Sequence, residues 1–218
     1  MSDGTGFLYP FLEGDERDAA ALLADLERSA AAKASASRAL RSATLDESRA
    51  AIETTALAMR DRFEGGGRLL TFGNGGSSTD AASLAALFAH PPHGVPLPAR
   101  ALVDDTAILT ALGNDVGFDL VFSRQVIAHG RDGDIALGIS TSGNSHNLLQ
   151  AFAEADARGL LTVGLAGYAG GDMAQSPHVQ QCLVVRADSV HRIQETQAAL
   201  GCVLWDAIQQ LVTASAHA

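Results

Sequence analysis

The chain has 218 residues, a formal net charge of -10, 18% charged residues and 47% hydrophobic ones. That is enough apolar material to bury the core of one compact domain carrying a helical extension. Lys33 is the single lysine, and this acidic balance excludes a nucleic-acid groove, which needs clustered Lys and Arg. A small anion held by backbone N–H groups stays compatible with it. Cys182 and Cys202 are the only cysteines, too few for a disulfide framework or a structural zinc knuckle. Residues 1–14 show no basic segment ahead of an apolar run, so no secretory signal is expected. No apolar run approaches the roughly 20 residues of a membrane span. The expectation is a cytoplasmic protein with no membrane partner.

Residues 15–64 are rich in Ala, Leu, Glu and Arg. Leu22, Leu23 and Leu26, then Ile52, Leu57 and Met59, recur at helical spacing and predict a helical pair. A break is expected near residues 42–46, with Thr44 as N-cap and Glu47 at the capping-box position. Residues 68–72 (RLLTF) read as a buried strand. The loop Gly73-Asn74-Gly75-Gly76-Ser77-Ser78 follows, then an Ala-rich helix over 79–89 that Pro91 and Pro92 stop. A second strand over 99–103 leads to a helix over 106–112, a turn at Gly113-Asn114-Asp115 and a helix over 118–128. The third strand covers 134–139, followed by Ser140-Thr141-Ser142-Gly143-Asn144-Ser145 and a helix to Ala157. Strands over 160–165 and 181–185 and a long helix over 189–213 complete the chain. Strands and helices alternating at this spacing predict an α/β fold with a parallel sheet covered on both faces.

Two of these loops follow strands, open helices and consist of Gly, Ser, Thr and Asn. Ligands of open parallel sheets bind at the carboxyl ends of the strands. Gly lets the backbone approach a ligand, and a helix N-terminus offers oriented N–H groups with partial positive charge. Phosphate can be bound this way without lysine. A P-loop is excluded, because neither loop ends in Lys. A dinucleotide site would use Gly73, Gly75 and the acid Asp104. Ser78 then replaces the third glycine, and the serine loop is left without a task.

In the segments GNGGSSTDAA (73–82), LGNDVGFDLVFSRQV (112–126), GDIALGISTSGNSHNLLQA (133–151) and RIQE (192–195), the chain resembles the sugar isomerase (SIS) domain family. The nearer likeness is to its phosphoheptose isomerase branch, with the related DnaA initiator-associating proteins. The resemblance implies a three-layer, Rossmann-like fold with a five-stranded parallel sheet. It also implies an N-terminal helical pair (1–64) for packing and oligomerisation, a phosphosugar-binding domain (65–218), a homotetramer, and sedoheptulose 7-phosphate as substrate. By position, Asn74, Gly75, Gly76 and Ser77 would contact the sugar phosphate. Ser140, Thr141, Ser142 and Ser145 would grip its phosphate. Asn114 and Asp115 would border the sugar, and Gln194 would reach in from the last helix. Read without the resemblance, Asn114 and Asp115 are ordinary turn residues and Gln194 a solvated helix position.

The sequence departs from the family at three positions. The isomerases carry a His and a Glu on the helix after the first loop, aimed at substrate and zinc; here these are Ser83 and Leu87. A further His is expected where Cys202 stands. Moving protons between adjacent carbons needs a general acid and base, which Ser and Leu cannot supply near neutral pH. No metal ligand set is therefore expected, and no cofactor, unless zinc finds a site outside the family pattern. His191 and Glu195 lie four apart on the last helix and share a face; they are the candidate substitutes, since His titrates near neutrality. Three readings stay open. The first is a phosphosugar-binding or regulatory protein of altered chemistry. The second is an active isomerase using His191 and Glu195. The third is a tetrameric interaction module with a protein partner.

Overall fold

A computed structural model describes residues 19–215. The chain divides into two units, Met1–Ala39 and Leu40–Ala218. In the described part of the first, helix α1 (Ala19–Glu47) exposes Leu23 and Leu26.

In the second unit, α1 ends and α2 (Arg49–Glu64) begins at Ser48. The expected break therefore lies further along the chain. Thr44 is not an N-cap: it is buried inside α1, and its carbonyl accepts from the Ser48 N–H at 2.9 Å. Leu40 and Leu45 pack on the core beside it, so tertiary packing carries the helix through a capping-box signal.

The strands are β1 (Leu69–Gly73), β2 (Ala99–Ala101), β3 (Ile135–Ser140), β4 (Leu161–Gly167) and β5 (Gln181–Val185). They form one parallel five-stranded sheet in the order β2-β1-β3-β4-β5. Every residue of β1, β3 and β4 is buried, which is why these strands read as continuous apolar runs. The helices are α3 (Gly76–Ala89), α4 (Thr106–Asp115), α5 (Val121–His129), α6 (His146–Ala157), α7 (Gly171–Gln175) and α8 (Val190–Ser215), with a 3₁₀ turn at Phe118–Leu120. Gly113, Asn114 and Asp115 belong to the last turn of α4 rather than to a separate turn. The short α7 was not legible in the sequence.

One core layer gathers Ile52, Met59 and Phe63 of α2, Leu84 and Phe88 of α3, and Ile193, Leu204 and Trp205 of α8. The other holds Phe122 and Val126 of α5 with Leu148 and Phe152 of α6, against Phe72 of β1. The sheet is thus sandwiched between two helical layers. The chain steps from β1 outward to β2, then returns to β3 on the other side of β1. The topological switch point, where such folds bind ligands, lies between β1 and β3. Both polar loops leave these adjacent strands, whose ends are in register at Gly73 and Ile139.

Candidate functional site

The first loop turns sharply into α3. Gly75 adopts φ +54 and serves as N-cap without a side-chain capping bond. Asn74 exchanges two hydrogen bonds with Asn147 at the start of α6, at 2.9 and 3.0 Å. This reciprocal amide pair ties the first loop to the second. Gln194 of α8 also meets the first loop: a Cβ placed on Gly76 would lie 2.3 Å from its Nε2. The structure therefore brings Asn74, Gly76 and Gln194 together, while Ser77 is buried beneath them.

The second loop converges its hydroxyls. Ser140 Oγ lies 3.0 Å from Ser145 Oγ and 3.4 Å from Ser142 Oγ, and accepts from the Gly143 N–H at 3.1 Å. The Asn144 N–H donates to Ser142 Oγ at 3.1 Å. Ser145 is the N-cap of α6, yet it makes no side-chain capping bond. An N-cap serine usually spends its hydroxyl on the first-turn N–H groups. Here the hydroxyl joins the cluster, and the N-terminal end of α6 keeps donors and partial positive charge for an anion. Thr141, half-buried, lies between the clustered serines in sequence.

Neighbouring segments hold this loop in shape. Gly143 has φ +69, and a Cβ there would meet the Gly170 carbonyl oxygen at 2.0 Å, so only glycine fits. Asn144 Oδ1 accepts from the Asp172 N–H at 2.8 Å, and the Met173 N–H donates to the Gly143 carbonyl at 2.9 Å. From α8, Gln197 donates to the carbonyls of Ser140 (3.2 Å) and Leu165 (3.0 Å), fastening the helix to the ends of β3 and β4. Asn147, Asn144 and Gln197 are the residues that sequence reasoning missed. Their roles depend on strand register, which no spacing in the sequence encodes.

Asn114 and Asp115 are exposed at the end of α4, where Asn114 Nδ2 donates to Asp115 Oδ1 at 2.7 Å. No hydrogen bond among the described residues links them to either loop. His191 and Glu195 are exposed on α8, and neither side chain makes a hydrogen bond or ion pair among the described residues. They flank Gln194 in sequence but share no bond with it.

Ser83, Leu87 and Cys202 do come together. With Asp80, Leu84, Gln197 and neighbours they line a pocket of about 260 Å³ between α3 and α8, and Gly201 lies close enough that a Cβ there would meet Leu84 at 3.2 Å. The walls are largely apolar. Burial pushes the Asp80 carboxyl above its ordinary range. Zinc takes three or four protein ligands, drawn from Cys, His, Asp and Glu. Of those types the pocket offers Asp80 and Cys202, and among the described residues no three such side chains gather around a metal position. The donor set does not fit zinc.

An open parallel sheet with two polar loops opening helices at its switch point is the architecture of the SIS fold. The SIS domain family matches this chain over residues 34–167. The phosphoheptose isomerase of Sulfurimonas denitrificans is 45% identical over 154 residues, covering 68% of this chain and 76% of that protein. That of Chlorobaculum tepidum is 44% identical over 185 residues, covering 80% and 88%. Among solved structures, the phosphoheptose isomerase of Neisseria gonorrhoeae aligns with TM-score 0.79 and 36% identity over 85% of this chain and 99% of that one. The Francisella tularensis enzyme aligns with the same score at 33% identity, over 85% and 98%. The chain belongs to the phosphoheptose isomerase family of SIS-domain proteins. Among the described residues, no helix is long and apolar enough to cross a membrane.

Proposed function

We propose that this protein binds a sugar phosphate at the loops after β1 and β3, and that its chemistry does not run through the zinc and acid–base residues usual in its family. The observation that carries the binding half is the hydroxyl cluster of Ser140, Ser142 and Ser145, with the Ser145 hydroxyl diverted from capping α6. Phosphate oxygens would accept from these hydroxyls and from the first-turn N–H groups of α6. Asn74, Gly76 and Gln194 would face the sugar. The observation behind the chemical half is the pocket where Ser83, Leu87 and Cys202 meet with no His or Glu in its lining and no metal-ligand cluster among the described residues. A thermal-shift titration with heptose and hexose phosphates tests the binding. The expected result is stabilisation at millimolar ligand, following RT ln(1 + [L]/Kd). No shift with any of them overturns it.

A second reading is an active sedoheptulose 7-phosphate isomerase with His191 and Glu195 as acid and base. It is favoured by identities of 45% and 44% to proteins named phosphoheptose isomerase. His191 and Glu195 also flank Gln194, whose amide lies against Gly76. Turnover measured with and without added zinc, then in His191→Ala and Glu195→Ala, separates the two readings. Sustained turnover that either substitution abolishes supports the second. We further place the protein in the cytoplasm as a homotetramer, with residues 1–64 serving oligomerisation. Loss of the tetramer on deleting those residues is the expected result, and a pull-down with the same deletion addresses a protein partner.

A further inference from the structure

The opposite end of the sheet carries a second cavity, of about 420 Å³, at the start of β1 and β2. Pockets that bury a small organic molecule begin at about 300 Å³. Its walls include Leu70, Leu97 and Pro98, together with Arg68, Arg100 and His129. Two guanidiniums and an imidazole in one cavity are notable in a chain with 15 basic residues against 25 acidic ones.

The three groups have different duties. Arg68 is anchored: its Nη2 donates to the buried Asp134 Oδ2 at 2.8 Å and to the His129 carbonyl at 2.6 Å. Asp134 also accepts from the backbone N–H groups of Arg68 (2.8 Å) and Arg131 (3.1 Å). This buried carboxylate therefore neutralises Arg68 and fixes its place. The Arg100 guanidinium makes no hydrogen bond or ion pair among the described residues. Asp104, on the adjoining surface that Arg100 also borders, does not pair with it. Partial burial, and then the nearby positive charges of Arg100 and Arg68, lower the pKa of the His129 imidazole below its ordinary value. The cavity thus holds one unpaired guanidinium, one anchored and neutralised guanidinium and an imidazole that can donate an N–H, over an apolar floor.

We propose that this cavity is a second binding site, for a small organic anion: a phosphomonoester or carboxylate held by Arg100 and His129, with its apolar or planar body on Leu70, Leu97 and Pro98. Arg68, fixed and neutralised by Asp134, forms part of the wall. The site is separate from the loops at the carboxyl ends of the strands, so it stands or falls independently of the sugar phosphate reading. Arg presents a planar fork suited to both anions.

The test is calorimetric titration of the full chain with inorganic phosphate, adenosine monophosphate and 3-phenylpropanoate. Wild type, Arg100→Gln and the loop variant Ser142→Ala/Ser145→Ala are compared. The expected result is saturable binding of at least one organic anion, weakened tenfold or more in Arg100→Gln and unchanged in the loop variant. Measured in the loop variant, where the serine cluster no longer competes for phosphate, tighter binding of the monophosphate assigns a phosphomonoester and tighter binding of phenylpropanoate assigns a carboxylate. Inorganic phosphate, lacking the apolar body, binds more weakly than either. If Arg100→Gln misfolds, the His129 ring resonances of the wild type provide a second reading. A bound anion raises the titration midpoint of that ring, and the midpoint stays fixed if the anion binds elsewhere. No binding by either organic anion, or equal affinity in wild type and Arg100→Gln, overturns the proposal.

Discussion

The two walls of the crevice above β1 and β3 are built on opposite principles. One is the serine loop with its Asn74–Asn147 brace, a polar network whose members hold one another at 2.9–3.4 Å. The other is the α3–α8 pocket, where Leu84 and Leu87 stand among Ser83, Asp80 and Cys202. The first wall suits an anion. The second is largely apolar and offers no His or Glu. The proposed binding and the proposed chemistry thus fall on different elements, joined through Gln197, which lines the pocket and donates to the Ser140 carbonyl.

The largest expected effect comes from Gly143→Ala. An L residue strained at that positive φ costs about 1–3 kcal/mol, and the Cβ would also strike the Gly170 carbonyl at 2.0 Å. Sugar phosphate binding should be lost, with a melting temperature several degrees lower. Binding that survives would show that the loop shape is not needed. Next, Ser142→Ala/Ser145→Ala removes hydroxyl donors to a charged phosphate, each worth about 1.5–3 kcal/mol. A calorimetric titration should read a Kd at least tenfold higher at nearly unchanged stability. Asn74→Ala leaves the buried Asn147 amide unpaired, at about 1–3 kcal/mol. It should lower both thermal stability and affinity, because it unties the two loops.

Much of this comparison was legible in the sequence. Strands buried on both faces show themselves as short apolar runs, and the two Gly/Ser loops follow them with helix starts. The sheet order was not legible, because nothing local distinguishes a central strand from an edge one. The α1–α2 break was misplaced: Thr44 and Glu47 carry a capping-box pattern, and only the packing of Leu40 and Leu45 reveals that the helix continues to Glu47. Asn114 and Asp115 follow a glycine and so read as turn residues, but they end a helix. On the second wall, the positions of Ser83, Leu87 and Cys202 were readable through resemblance, and their meeting in one pocket required the fold.

Smaller effects sharpen the second wall. Burial pushes the Cys182 thiol up to about 11, so it stays protonated at pH 8, whereas Cys202 is exposed. Alkylation at pH 8 should modify Cys202 first, and mass spectrometry should find Cys182 largely untouched. The smallest effect belongs to Asp80. Its folded-state pKa is raised by burial, so its contribution to stability is fully present below the unfolded value and is lost as pH rises through the folded one. Asp80→Asn should therefore melt slightly higher than wild type at pH 7, with the difference vanishing near pH 3.

The central claim is that a sugar phosphate sits with its phosphate on the first wall and its sugar carbons facing the second. A crystal structure soaked with sedoheptulose 7-phosphate tests this directly. The account predicts phosphate oxygens within about 3 Å of the Ser140, Ser142 and Ser145 hydroxyls, and sugar carbons with no His or Glu side chain in proton-transfer range. A phosphate bound away from these serines would contradict the first half, and His191 or Glu195 against the sugar carbons would contradict the second.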